Sequence, residues 1–307
     1  MENKIGRITG TFLDEITADI ASQNWTAEDW ALSFEAMAYI GIDTVIIIRG
    51  GFVDQAVFPS KVVGNFDDQD LAQVFLDNAA KHNMKLFFGT FDKGYYLTGQ
   101  PINAEVETDL NIKFLDEVMA RYGGHPALGG WYLTHEVCSN AEGANTLYKN
   151  VAGYLKKITP SMPILISPYY PSKFLVGENS LTPDEFLVSW RELLAGLSGL
   201  VDIMAFQDST CKKDEYISYL TQVKKLSEET GIQVWNNFES FDREKSFNFP
   251  PKDIRTLMER LSMAEPYVSK HITFEFSHFM SPNSCFPGAL NLYRRYCERV
   301  LGKKSPY

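Results

Sequence analysis

The sequence predicts a single (β/α)8 barrel, the TIM-barrel class of α/β proteins, with residues 1–307 forming one domain. Three observations predict it. Short β-rich runs alternate with longer segments of helical period, the pattern of a parallel sheet connected by helices. Eight such units fit into 307 residues, the usual size of a closed barrel. No G-x-G-x-x-G or P-loop follows the first strand, where an open doubly wound sheet would carry a glycine-rich turn.

The strands are expected at 8–13, 44–49, 85–91, 130–136, 164–169, 202–207, 233–239 and 271–277. Apolar residues recur at helical spacing between them: Leu71, Val74 and Phe75 in the second connection, Leu110, Phe114 and Val118 in the third, and Tyr216, Tyr219, Leu220 and Val223 in the sixth. Thr182-Pro183-Asp184-Glu185 starts the fifth helix, because Thr can cap, Pro suits the first turn and Glu185 can complete a capping box. Gly41, Asn83 and Gly231 each stand just before a strand, where a helix has to end. Neither a linker nor a low-complexity tract divides the chain.

With 45% hydrophobic and 22% charged residues, the chain can bury a large core. Its longest apolar stretches, such as Thr44-Val45-Ile46-Ile47-Ile48, are far shorter than the roughly 20 residues that cross a bilayer, so no membrane insertion is expected. Met1-Glu2-Asn3-Lys4-Ile5-Gly6 has neither a basic leader nor an apolar core. The expectation is therefore a cytoplasmic protein if Met1 is the native start, and a secreted or periplasmic one if a leader was trimmed. A formal net charge of −10 disfavours nucleic acid as a partner, since phosphate binding needs clustered Lys and Arg. Cys138, Cys211, Cys285 and Cys297 lack the spacing of a zinc site or a disulfide scaffold and are expected as free thiols.

Loops that follow strands are longer and richer in Asp, Tyr, Phe and Asn than those that precede them, which marks the C-terminal face of the barrel as functional. Two carboxylates stand there. Strand four ends Trp131-Tyr132-Leu133-Thr134-His135-Glu136, and strand seven ends Trp235-Asn236-Asn237-Phe238-Glu239. Side chains alternate along a strand, so Glu239 shares its face with Asn237 and Trp235, opposite Val234 and Phe238, and Glu136 shares its face with Thr134. Both acids can thus face one cleft. A carboxyl pair flanking a glycosidic bond can supply a proton to the leaving oxygen and a nucleophile to the sugar, provided the two hold different ionisation states. Arg49, at the end of strand two, is the cation expected to keep Glu239 charged. The competing reading makes both acids ordinary rim carboxylates, paired with Arg49 and Lys93.

On these residues the chain resembles the clan-A retaining glycoside hydrolases, barrels whose acid/base Glu ends strand four and whose nucleophilic Glu ends strand seven. The resemblance implies those roles for Glu136 and Glu239, and Arg49 matches an arginine common near the nucleophile. Two features depart from that pattern: His135 stands where the clan has Asn before the acid, and no Trp ends strand eight. More closely, Ile8-Thr9-Gly10-Thr11-Phe12-Leu13, Trp131-Tyr132 before His135-Glu136, and Glu275-Phe276 resemble the bacterial barrel proteins grouped as domain of unknown function 4434. That family implies a barrel and a carbohydrate substrate.

Other residues complete the expected face. Phe274 and Phe276 are assigned to the helix-facing side of strand eight, which turns Glu275 and Ser277 inward and makes Glu275 a rival partner for Glu136. Asp14, Asp92, Gln207, Asp208 and His278 end strands and are candidates for binding sugar hydroxyls, and Tyr95, Tyr96, Tyr169, Tyr170 and Phe241 are candidates for stacking on sugar rings. A non-catalytic glycan-binding barrel would use the same face. A metal-dependent hydrolase would instead gather His135, Asp208 and His278 with Glu136 or Glu275, but no H-x-H follows strand one, so neither metal nor cofactor is expected.

Overall fold

Eight parallel strands close into a ring in chain order: β1 (Ile8–Leu13), β2 (Thr44–Ile47), β3 (Lys85–Gly89), β4 (Leu128–Leu133), β5 (Ile164–Ile166), β6 (Ile203–Gln207), β7 (Gln233–Glu239) and β8 (Lys270–Phe274), with β8 pairing back onto β1. They come from a computed structural model that describes residues 5–17, 21–66, 69–98, 100–138, 143–208, 211–243 and 249–307. The helices α1 (Ala27–Ile40), α2 (Leu71–Lys81), α3 (Ala104–Tyr122), α4 (Ala144–Ile158), α5 (Pro183–Ala195), α6 (Lys213–Thr230), α7 (Ile254–Ala264) and α8 (Pro287–Arg299) alternate with the strands. The molecule is a (β/α)8 TIM barrel, as its sequence pattern predicts.

Local chemistry sets the punctuation. Thr182 caps α5 and exchanges the capping-box hydrogen bonds with Glu185, with Pro183 in the first turn. Gly41 and Gly231 end α1 and α6 at φ 93° and 75°, and Asn83 turns the chain after α2 at φ 56°. These left-handed conformations carry a penalty for a residue with a Cβ that Gly avoids and Asn partly tolerates. Gly89 and Gly50 serve a different purpose, close approach: a Cβ on Gly89 would stand 2.3 Å from the Ile47 carbonyl oxygen, and one on Gly50 2.4 Å from that of Gly89. The backbones on either side of Arg49 can therefore pass in contact.

Two apolar layers hold the fold. Inside the barrel Phe12, Ile46, Phe87, Tyr132, Leu165, Trp235 and Ile272 fill the lumen, with Phe274 packed against them. Outside it a larger layer joins strands to helices, and the helical stripe of Tyr216, Tyr219, Leu220 and Val223 is wholly within it. Val234 and Phe238 face that layer while Trp235 faces the lumen, so the alternation expected for β7 holds. Phe206 is at the centre of an aromatic group in the outer layer, with ring centroids 4.9 Å from Trp190, 5.1 Å from Tyr170 and 5.4 Å from Phe186. Phe206→Ala is expected to cost about 3–5 kcal/mol, because so enclosed a site cannot collapse onto the void. Urea unfolding measures it, and a loss below about 1 kcal/mol would contradict this packing.

Several strands stop earlier than their β-rich runs. β2 ends at Ile47, β4 at Leu133, β5 at Ile166 and β8 at Phe274, so Arg49, Glu136, Tyr169 and Glu275 all belong to the loops that follow. Beyond β3, Phe91–Asp92 leaves the barrel to join Gly51–Phe52, Gln55–Ala56 and Asn65–Phe66 in a small sheet built from the β2 and β3 loops. Two-residue strands have no periodicity to read, so this sheet is invisible in the sequence. No helix among the described residues is long and apolar enough to cross a membrane, and none of the four cysteines forms a disulfide.

Candidate active site

A cleft of about 480 Å³ opens at the C-terminal ends of the strands. Its lining includes Asp14 after β1, Arg49 after β2, Asp92 after β3, His135 and Glu136 after β4, Tyr169 after β5, and Gln207 and Glu239 at the ends of β6 and β7. Eight of the expected site residues therefore meet in one place, joined by Tyr95. The side chain of Tyr96 lies outside the described residues.

The two principal acids have different settings. Glu136 is one quarter exposed; its Oε2 is 4.0 Å from Arg49, and its Oε1 accepts a hydrogen bond from the Tyr132 hydroxyl at 3.3 Å. Burial pushes the Glu136 carboxyl above the ordinary range, and Asp92 adds to this, while Arg49, Tyr132 and Arg243 oppose it. Glu239 is nearly sealed, and its Oε1 accepts two hydrogen bonds from Arg243, from Nε at 3.1 Å and Nη2 at 2.9 Å. Burial and the neighbouring Asp208 raise the Glu239 carboxyl, against Arg243 and Lys252.

The charge partner of Glu239 is thus Arg243, a correction to the role expected of Arg49. The Arg49 guanidinium turns the other way, donating from Nε to Asp92 at 3.2 Å and lying over the Phe52 ring at 5.1 Å. Arg243 is held from its far side by Phe241 and Phe249, whose ring centroids are 4.9 and 5.6 Å away. It follows Glu239 by four residues on the loop after β7, a spacing that carries no meaning outside a helix. That is why pattern reading passed over it.

Asn237 and Asp208 sit beneath the acids and do not line the cleft. Asn237 donates to Ser167 Oγ at 2.9 Å, and Asp208 accepts the Glu239 backbone N–H at 3.2 Å, with Lys252 Nζ 3.9 Å from its other oxygen. They shape the floor that carries Glu239. Tyr170 is a further correction: it is buried in the outer layer, stacked on Phe206 and Tyr219 with ring centroids 5.1 Å from each. Phe241 likewise packs on Phe279 and Phe274 instead of facing the cleft.

The expected inward Glu275 is also corrected. Ile272 and Phe274 point into the barrel, so Phe274 lines the cleft and Glu275 lies beyond it, fully buried. Phe274 completes the lumenal layer beside Phe12, centroids 6.0 Å apart, and that packing sets the parity of the strand end. The cleft thereby has an aromatic wall at β8, although no Trp ends that strand. The Phe274–Glu275 peptide bond is cis.

Glu275, His278 and Ser22 form a chain of contacts behind Asp14. His278 Nδ1 is 2.6 Å from Glu275 Oε1, and its Nε2 is 3.1 Å from Ser22 Oγ, which in turn meets the Glu15 carboxyl. Ser22 has no exposed surface, so this chain ties the β1 loop to the β8 loop and presents no nucleophile. Burial pushes the Glu15 carboxyl from 4.5 up to about 8, helped by Glu275 and Asp14 and opposed by Ser22 and His278. The folded protein then keeps a proton that the unfolded chain releases, so stability falls as pH rises from 4.5 towards 8. Glu15→Gln removes this dependence. Wild type and variant are expected to unfold alike near pH 4, with the variant ahead by about 1–2 kcal/mol near pH 8 after allowance for partial exposure. Thermal melts across that range check it, and parallel pH profiles would contradict it.

The metal-centred alternative required His135, Asp208 and His278 around one point. They belong instead to three networks: His135 contacts Glu107, Asp208 contacts Glu239 and Lys252, and His278 contacts Glu275 and Ser22. Among the described residues the ligand-type atoms that gather within 4.8 Å are those of Asp92, Glu107 and His135. Arg49 already occupies Asp92 and the imidazole Nε2 faces Glu107, so these three read as a hydrogen-bonded network.

Comparison with other proteins agrees with this architecture. Residues 8–286 match the family described as Domain of unknown function (DUF4434). A crystal structure from Bacteroides thetaiotaomicron VPI-5482, named a putative alpha-L-fucosidase, is 38% identical with a TM-score of 0.92, over 98% of this chain and 94% of that one. The intracellular xylanase TsXylA of Thermoanaerobacterium saccharolyticum JW/SL-YS485 superposes at a TM-score of 0.54 and 15% identity, over 88% of this chain and 85% of that one. A beta-glucosidase from Thermotoga maritima does so at 0.53 and 10%, over 90% and 89%. The latter two likenesses concern the fold alone. No functionally curated protein matches the chain. With a (β/α)8 barrel, a cleft at the strand ends and a family match over most of its length, this chain belongs to the DUF4434 family.

Proposed function

We propose that this protein is a retaining glycoside hydrolase in which Glu136 is the general acid/base and Glu239 the nucleophile. The observation that supports it is the pair of acids at β4 and β7 on one cleft, in unequal surroundings. Glu136 has a raised carboxyl, with the Arg49 guanidinium 4.0 Å from it, which suits a proton carrier. Glu239 takes two guanidinium hydrogen bonds, which suit a group that must be ionised to attack.

In the first step a Glu239 oxygen bonds to the anomeric carbon, the glycosidic C–O bond breaks, and the Glu136 proton passes to the departing oxygen. In the second, Glu136 takes a proton from water, whose oxygen displaces Glu239 and regenerates both groups. The donor-rich Arg49 and Arg243, with Asp14 and Gln207, suit sugar hydroxyls, and Tyr95, Tyr169 and Phe274 suit the apolar faces of sugar rings.

The test is a panel of aryl α- and β-glycosides, α-L-fucosides among them, with the corresponding oligosaccharides. Wild type is expected to release aryl alcohol from at least one member. Retention of glycan binding by wild type, Glu136→Gln and Glu239→Gln with no cleavage of any member would make the protein a glycan-binding barrel and end this proposal.

A further inference from the structure

His135 lines the cleft beside Glu136, and among the described residues the polar partners of its ring meet Nε2. Nε2 is 2.9 Å from Glu107 Oε1 and 3.7 Å from Asp92 Oδ1. Glu107 is fully buried in the first turn of α3, and the same Oε1 accepts the backbone N–H of Lys93 at 2.8 Å. An oxygen that takes one N–H in this way is an acceptor, so the hydrogen between it and the imidazole belongs to Nε2. Asp92 is occupied elsewhere, accepting from Gly94 N at 2.7 Å and from Arg49 Nε at 3.2 Å.

The other ring nitrogen, Nδ1, has no hydrogen-bond partner among the described residues, yet it is not one of the sealed polar atoms that lack one. It therefore opens on the cleft that the ring lines. A neutral imidazole with hydrogen on Nε2 has a lone pair on Nδ1 and can only accept there.

We propose that Glu107 is a positioning residue that holds a hydrogen on His135 Nε2 and so leaves Nδ1 of the neutral ring as an acceptor towards the substrate. The cleft then selects a ligand carrying a hydrogen-bond donor, a free hydroxyl or an amide N–H, at the sugar position beside Glu136, and rejects ligands that are deoxy or O-substituted there. The selection half rests on the glycoside-hydrolase reading. The tautomer half does not.

Nitrogen-15 spectra of the imidazoles test the first half without any ligand. The chain has five histidines, and the His135 signals are assigned by their absence from His135→Asn. Wild type is expected to show protonated Nε2 and bare Nδ1, a preference that Glu107→Gln weakens and Glu107→Asp, which keeps an acceptor carboxylate, partly restores. A hydrogen on Nδ1 in wild type, or on both nitrogens, overturns the proposal whether or not a variant folds. For the second half, monodeoxy analogues of the sugar bound in the panel are titrated. One analogue is expected to bind about 10- to 100-fold more weakly to wild type, with that gap shrinking to a few-fold in Glu107→Gln. An Nε2–H tautomer with equal binding of every deoxy analogue overturns the selection while leaving the hydrolase reading intact; no binding of any sugar removes both and leaves only the tautomer.

Discussion

Glu239→Gln is expected to lower kcat/KM by roughly 10⁴- to 10⁶-fold, the scale seen when a member of a cooperating catalytic set is removed. The amide keeps the shape of the carboxyl and can still accept from Arg243, so the cleft and its ligand affinity should survive while the bond to the anomeric carbon can no longer form. Affinity for an unreactive oligosaccharide, measured by calorimetry, should change by less than about 10-fold. Equal losses of affinity and rate would mean that Glu239 holds the cleft together and does not react. Glu239→Ala offers a second reading, because it leaves room for a small anion such as azide. Restored turnover with formation of a glycosyl azide of inverted anomeric configuration is the expected outcome, and that inversion identifies the missing group as the nucleophile.

Glu136→Gln is expected to cost about 10²- to 10⁴-fold, the usual worth of positioned proton transfer, on substrates whose leaving group needs a proton. Aryl glycosides with strongly acidic phenols need none and should lose far less in the first step. The pH profile carries the sign. Glu136 must be protonated to act and its carboxyl is raised by burial, so wild-type activity falls as pH rises through a value above the ordinary carboxylate range. That alkaline limb should vanish in Glu136→Gln. A limb that persists unchanged would assign it to another group.

Much of this site could be read from the chain. Alternation along β7 placed Glu239 with Trp235 and against Phe238, because one residue of slip would have put a carboxylate in the helical layer. Thr182 sets where α5 begins, and Gly41, Asn83 and Gly231 stand just ahead of β2, β3 and β7, the strands whose ends carry Arg49, Asp92 and Glu239. What escaped was decided in three dimensions. Phe274 and Phe276 suit the helix-facing side of β8 by sequence, and it is the lumenal packing of Phe274 on Phe12 that turns Glu275 away. Tyr170 follows a strand like Tyr169, but the chain folds it back onto α5 and α6. Arg243 and Glu107 reach the site from a loop and a helix, so no strand-end rule could find them. Tyr132 could have been found: it is one strand repeat inward of Thr134 and Glu136 on the same face, where a hydroxyl would meet the acid.

The stereochemistry of the first product tests the central claim most directly. Proton nuclear magnetic resonance of a cleaved glycoside, recorded before the released sugar equilibrates, distinguishes the two anomers. A double displacement through Glu239 predicts that the sugar appears with the configuration of the substrate, because two inversions at the anomeric carbon cancel. First appearance of the opposite anomer would show a single displacement by water and contradict the assignment of Glu239 as nucleophile.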